Sequence, residues 1–176
     1  MQLINTRFIS LICLFFSCWV TVSANELSEY KLGSGDTISI YVYGHNDLTL
    51  TAKLDDSGKI SYPFIGDIII KNKTTRQIRQ EITEKLKQGY LVAPQVHVSV
   101  SQYRPFYIYG QVNKPGSFAY QPGLTVVMAI ALAGGLTERA SSNWFIKRSQ
   151  QSTQIAANDE DLIYPGDMLT IEKSFF

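Results

Sequence analysis

The chain has 176 residues, 45% of them hydrophobic and 18% charged, with 16 basic and 15 acidic side chains and a formal net charge of +1. So even a balance excludes a long-range pull on nucleic acid, and a chain of this length buries one sizeable core or two small ones. Both cysteines, Cys13 and Cys18, lie near the N-terminus. The rest of the chain therefore holds no disulfide, thiol nucleophile or cysteine-based metal site.

Residues 1–24 read as an address. Arg7 is their only charged residue, and positions 8–20 are apolar almost throughout. That run of about 13 residues falls short of the ~20 a helix needs to cross a bilayer. Val22-Ser23-Ala24 then supplies small residues ahead of polar Asn25-Glu26, so a cleavable secretory signal is expected, cut between Ala24 and Asn25. The alternative is a lipoprotein signal with Cys18 as the acylated residue. Against it, bulky Phe15 and Phe16 stand where such a signal usually has Leu and a small residue. Removing residues 1–24 takes away one basic and no acidic side chain, which leaves the two signs equal.

Along the remaining chain, residues 37–43 alternate with Ile38, Ile40 and Val42 on one face, the pattern of a half-buried strand. Asp55-Asp56-Ser57-Gly58 is a turn signal between Leu54 and Ile60, and predicts a hairpin there. A short strand at 67–70 follows Pro63 and Gly66. Thr74 and Gln77 have capping-box spacing, and Ile78, Ile82 and Leu86 make an apolar stripe that ends at Gly89. This predicts a helix with one buried face and a left-handed stop. Val96, Val98 and Val100 form an amphipathic strand.

Tyr103-Arg104-Pro105 punctuates the chain, and a second unit begins. Residues 106–112 are strand-like and aromatic, and Pro115-Gly116 predicts a hairpin into residues 117–120. Thr125 is placed to cap a helix over 126–133, whose residues are apolar all round and therefore expected to be buried. Gly134-Gly135 stops it. Residues 144–148 and 161–171 supply the last strands, around a turn at Tyr164-Pro165-Gly166-Asp167.

Gly33-Ser34-Gly35-Asp36 leads into a strand. A phosphate loop needs glycines that lead into a helix, so this is a tight turn with Asp36 bonded to its own backbone. The turn at 164–167 has the same chemistry. His45 and His97 have no partners in sequence for a metal site. There is no GxSxG elbow and no pair of carboxylates placed for acid–base work. No enzyme activity, metal or cofactor is expected. Tyr103, Phe106, Tyr107, Tyr109, Phe118 and Tyr120 crowd the junction and the hairpin, where aromatic side chains serve core, interface or sugar contact. Arg104, Tyr107, Tyr109, Asn113 and Lys114 are the candidate glycan or subunit-contact surface, because a junction and a hairpin tip are expected to be exposed.

Several stretches together resemble a polysaccharide export sequence domain: residues 30–36 and the strand after them, 56–60, 62–66, the helix from Thr74, and 94–98. A further set resembles the soluble-ligand-binding β-grasp (SLBB) repeat: residues 109–112, Pro115-Gly116, Thr125, Ala129-Ile130 and 133–137. The order is that of the Wza-type outer-membrane polysaccharide export family. The resemblance implies an α+β fold with a signal peptide at 1–24, an export domain at 25–103 and a β-grasp domain at 104–176. It also implies a homo-oligomeric ring that passes capsule or exopolysaccharide, supplied by an inner-membrane co-polymerase. Family members typically carry further β-grasp repeats and a C-terminal pore helix. Without them, this chain is expected to work in the periplasm beside the outer membrane and to dock to a separate outer-membrane β-barrel. A periplasmic sugar-binding or sensing module is the alternative.

Overall fold

The computed structural model describes residues 30–149 and 151–174. The expected signal, its cleavage point at Ala24 and Asn25, and Cys18 lie outside the described residues.

The first unit is built on a three-stranded antiparallel sheet in the order β2-β1-β5, from β1 (Thr37–Val42), β2 (Leu50–Lys53) and β5 (Val96–Gln102). A separate hairpin joins β3 (Lys59–Tyr62) to β4 (Gly66–Ile69). Helix α1 (Thr75–Lys87) closes the core. Its capping box is fully formed: the Thr74 N–H donates to Gln77 Oε1 at 2.9 Å, and the Gln77 N–H donates to Thr74 Oγ1 at 3.3 Å. The stripe of Ile78, Ile82 and Leu86 is fully buried against the sheet and hairpin, and burying each such side chain favours folding by about 1.5–3 kcal/mol.

The turn at 55–58 exists, with the Gly58 N–H donating to the Asp55 carbonyl at 3.2 Å, but it does not make a hairpin. The strands on either side belong to different sheets. β2 is held in register by β1, and Leu54 exchanges bonds with Gly35 and Asp36, at 2.8 Å each. Beyond the turn, the Gly58 carbonyl accepts the N–H groups of Ile70 and Lys71, which commits β3 to β4. The true hairpin turns at Pro63-Phe64-Ile65, where Phe64 takes φ 65° and the Ile65 N–H donates to the Pro63 carbonyl at 2.8 Å.

The second unit is a five-stranded mixed sheet in the order β7-β6-β10-β8-β9, made of β6 (Phe106–Gly110), β7 (Gly116–Phe118), β8 (Ala140–Lys147), β9 (Gln154–Ala157) and β10 (Met168–Lys173). Only the β6–β10 pair is parallel. The sheet grips helix α2 (Val126–Leu132), in the manner of a β-grasp. Gly110 ends β6, in register with Ile171 of the parallel strand β10. Its φ is 90°, and a Cβ there would lie 1.9 Å from the Ile171 carbonyl oxygen.

Two expectations for this unit are corrected. Helix α2 is not buried all round: Val126, Ala129 and Ile130 face the core, whereas Val127, Met128 and Leu132 are about half exposed at 49%, 53% and 50%. Residues 161–167 form no strand. They make one bridge, Thr125 to Leu162, and a turn, while β9 at 154–157 pairs with β8 instead.

Candidate functional site

The two cores meet at the Tyr103-Arg104-Pro105 junction, and a buried carboxylate organises the contact. Asp36 is wholly buried at the end of the Gly33–Asp36 turn. The turn is closed by the Asp36 N–H donating to the Gly33 carbonyl at 3.2 Å, with Gly35 at φ 93°. Only glycine adopts that angle at this turn position without cost. The Asp36 carboxylate then accepts four bonds. Oδ2 accepts the Gly33 N–H at 2.8 Å, the Tyr30 phenol at 2.7 Å and Arg104 Nη1 at 3.3 Å; Oδ1 accepts the Arg104 backbone N–H at 2.7 Å. Arg104 in turn donates from Nε to the Pro165 carbonyl at 3.1 Å. One arginine thereby ties the first turn of the first unit to the last turn of the second.

That last turn repeats the arrangement. The Asp167 N–H donates to the Tyr164 carbonyl at 3.1 Å, Gly166 has φ 85°, and Asp167 Oδ2 accepts the Tyr164 N–H at 2.8 Å. Its partner is Arg148, whose Nη1 pairs with Oδ2 and also donates to the Leu162 carbonyl at 3.0 Å. Burial pushes the Asp167 carboxyl above its ordinary range, against the opposing pull of the Tyr164 N–H and Arg148. Burial also raises the Tyr30 phenol well above its ordinary range, helped by its hydrogen bond to Asp36. Tyr30, Tyr103 and Tyr120 form an edge-to-face ladder from one unit to the other, with ring centroids 5.2 and 5.3 Å apart.

Beside these two turns runs a groove of about 560 Å³ lined by Lys31, Ser34, Lys71, Asn72, Arg104 and Ser149. It adjoins a second hollow of about 370 Å³, which shares Lys31, Arg104 and Ser149 and adds Arg148, Gln151 and Tyr164. Four cationic side chains from distant parts of the chain thus border one surface. Arg104 and Arg148 are 15% and 23% exposed and each is paired with a buried aspartate. Lys31 and Lys71 make no ion pair among the described residues and are exposed.

The five residues singled out from the sequence do not come together. Arg104 is largely buried in the junction rather than displayed on it. Tyr107 and Tyr109 lie two apart on β6, the second 45% exposed. Asn113 and Lys114 are exposed at the β6–β7 hairpin, where Asn113 Nδ2 donates to the Gly134 carbonyl at 2.7 Å and holds the end of α2. Lys31, Lys71 and Arg148 escape a sequence reading because nothing in their spacing links them. The recurrence of Gly-Asp at 35–36 and 166–167 is the one available signal for the turns. Among the described residues no three His, Cys, Asp or Glu side chains are grouped to hold a metal, and no helix is long and apolar enough to cross a membrane.

Comparison with known proteins gives the fold a family. Residues 24–101 match the polysaccharide biosynthesis/export protein family, and residues 105–156 match the SLBB domain. The exopolysaccharide production protein ExoF of Rhizobium meliloti is 35% identical over 114 residues, covering 61% of this chain and 27% of that protein. The EPS I polysaccharide export outer membrane protein EpsA of Ralstonia solanacearum is 26% identical over 167 residues, covering 80% of this chain and 44% of that protein. The polysialic acid transport protein KpsD of Escherichia coli is 26% identical over 116 residues, covering 65% and 21%. The chain spans less than half the length of each of these relatives. With the α+β export unit and the β-grasp unit in this order, and these relatives, the chain belongs to the polysaccharide biosynthesis/export protein family, its export domain followed by an SLBB domain.

Proposed function

We propose that this protein is a ring-forming periplasmic subunit for export of capsule or exopolysaccharide, acting beside the outer membrane and without catalysis. The observation that carries this reading is the pairing of an export domain with an SLBB domain, in a chain similar to proteins named for polysaccharide production, export and transport. The Asp36–Arg104–Pro165 tie supports it, since a subunit that frames a passage must hold its two units in a fixed relation. Two exposed apolar surfaces support self-association. One is the outer face of α2, with Val127, Met128 and Leu132; the other is the Phe64–Tyr90 pair, with ring centroids 5.6 Å apart, on the first unit. Contact between two unlike patches is head-to-tail, the kind of interface that builds a ring when the rotation between subunits closes. An inner-membrane co-polymerase would deliver the polymer, and a separate outer-membrane β-barrel would supply the pore.

Deleting and restoring the gene tests the export role, with the polymer followed by cell fractionation. Loss of surface polymer with synthesis intact is the expected result. Normal surface polymer in a strain with no second exporter would overturn the reading and put a periplasmic sugar-binding or sensing module first. Sedimentation of the purified protein tests the ring: Leu132→Glu should shift an oligomer to monomer. Conductance by the purified protein alone in planar bilayers would refute the separate barrel.

A further inference from the structure

The groove along the junction has a chemistry that polymer passage alone does not call for. Its cations come from four places in the chain: Lys31 ahead of the first turn, Lys71 after β4, Arg104 at the junction and Arg148 after β8. The two aspartates at its margin are buried and each is matched by one arginine. Among the described residues the lysines have no acidic partner, so those lining the groove leave a surplus of two positive charges in a protein whose total charge is close to zero.

Between the cations the walls carry Ser34, Asn72, Ser149 and Gln151, short hydroxyl and amide side chains that both donate and accept hydrogen bonds. No residue of α1 or α2 lines the groove, whereas a phosphate site of the helix-terminus kind is made by a helix's first turn. The N-termini of α1 and α2 are closed by their own Thr74 and Thr125 caps. A volume near 560 Å³ is within the range of small-ligand sites. The guanidinium groups are held by their aspartates in fixed orientation, and a planar fork with spare N–H donors matches a carboxylate.

We propose that this groove binds the carboxylate-bearing sugars of an acidic polysaccharide. Lys31 and Lys71 supply the attraction, Arg104 and Arg148 orient the carboxylate, and the hydroxyl and amide side chains meet the sugar hydroxyls. The proposal rests on the polysaccharide-handling role and gives that role a charge preference and a place.

The test is calorimetric titration of the purified exported chain with trigalacturonate and with maltotriose, an uncharged trisaccharide. The acidic sugar should bind at least roughly tenfold more tightly, and Lys31→Gln/Lys71→Gln should remove roughly a tenfold share of that affinity while leaving the circular dichroism and melting curve unchanged. Both lysines are exposed and make no ion pair among the described residues, so this variant is expected to fold as the parent does. Equal binding of the two sugars, or unchanged affinity in the double variant, would overturn the proposal. Equally tight binding of sulfate or of poly-glutamate would overturn the assignment to a sugar, in favour of a general anion or an acidic protein segment. Loss of surface polymer on gene deletion together with no trigalacturonate binding refutes the groove and leaves the export role standing. Normal surface polymer refutes the export role itself.

Discussion

The Asp36 site allows the contributions of a carboxylate and an arginine to be ranked before they are measured. Substituting Asp36→Asn turns one acceptor oxygen into a donor amide. Whichever way the amide is turned, a donor then faces a donor: the Arg104 backbone N–H on one side, or the Gly33 N–H and the Arg104 guanidinium on the other. A buried donor left without an acceptor costs about 1–3 kcal/mol, and breaking a buried charge pair by removing one member costs about 3–5 kcal/mol. Because 15% of the Arg104 side chain is exposed, water takes part of its charge, and the lower end, about 3 kcal/mol, applies. Arg104→Met does less. It too breaks the ion pair, but the carboxylate left behind keeps three donors, the two backbone N–H groups and the Tyr30 phenol. What is lost is the longest contact, 3.3 Å, and the 3.1 Å bond to Pro165, so the cost falls below that of a bare buried charge, at about 1.5 kcal/mol. With a urea dependence near ~2 kcal/mol per molar, the unfolding midpoint should fall by about 1.5 M for Asp36→Asn and about 0.75 M for Arg104→Met. A midpoint for Arg104→Met at or below that of Asp36→Asn would refute the reasoning, since the guanidinium would then hold the junction and not the backbone and phenol donors.

Gly110→Ala should cost more than about 3 kcal/mol, because the new Cβ meets the Ile171 carbonyl in the one parallel strand pair. The control is Gly44→Ala, with φ 76° and no atom within 4 Å, which should cost only ~1 kcal/mol; equal melting temperatures for the two variants would refute the argument. Thr74→Ala removes the cap of α1 and should lower stability by about 1 kcal/mol in urea titration, with Thr74→Ser restoring most of it. The raised Tyr30 phenol makes stability fall at alkaline pH. Below the ordinary tyrosine value of 10.0 both folded and unfolded chains keep the proton and the contribution is complete; above it the unfolded chain ionises while the fold holds on, so stability declines as pH climbs. Tyr30→Phe should give a shallower decline in urea midpoint between neutral pH and about 11, and an identical decline would show that Tyr30 does not carry it.

What the sequence made legible was whatever is decided within a few residues. The capping box of α1 needs only Thr74, Gln77 and the stripe behind them, and it is present bond for bond. The Gly-Asp turns at 33–36 and 164–167 were recognisable for the same reason. Hairpin assignment failed at 55–58 because a turn states only that the chain reverses. Which strands then pair is settled elsewhere, by β1 claiming β2 and by the Gly58 carbonyl claiming Ile70 and Lys71. Helix α2 was misjudged because its all-apolar sequence cannot distinguish burial from an apolar face left open, and the sheet covers one side only. The candidate site suffered from the same locality. Arg104, singled out as exposed surface, is largely buried, and its partners lie at positions 36 and 165, which no spacing rule connects to it.

The balanced charge of the chain is a poor guide to the groove, because a net charge averages over a surface that folding sorts. Of the four cations that reach the groove, two are committed to keeping the turns in place. Arg104 and Arg148 are neutralised by aspartates that are almost wholly buried, so their contribution to any ligand is direction rather than attraction. Attraction falls to Lys31 and Lys71, which no acidic side chain among the described residues pairs. Fixed donors flanked by exposed positive charges raise local counter-ion concentration without demanding tight fit. A site that must let a long polymer slide onward works on those terms: it has to distinguish an acidic chain from a neutral one and still release each residue to the next.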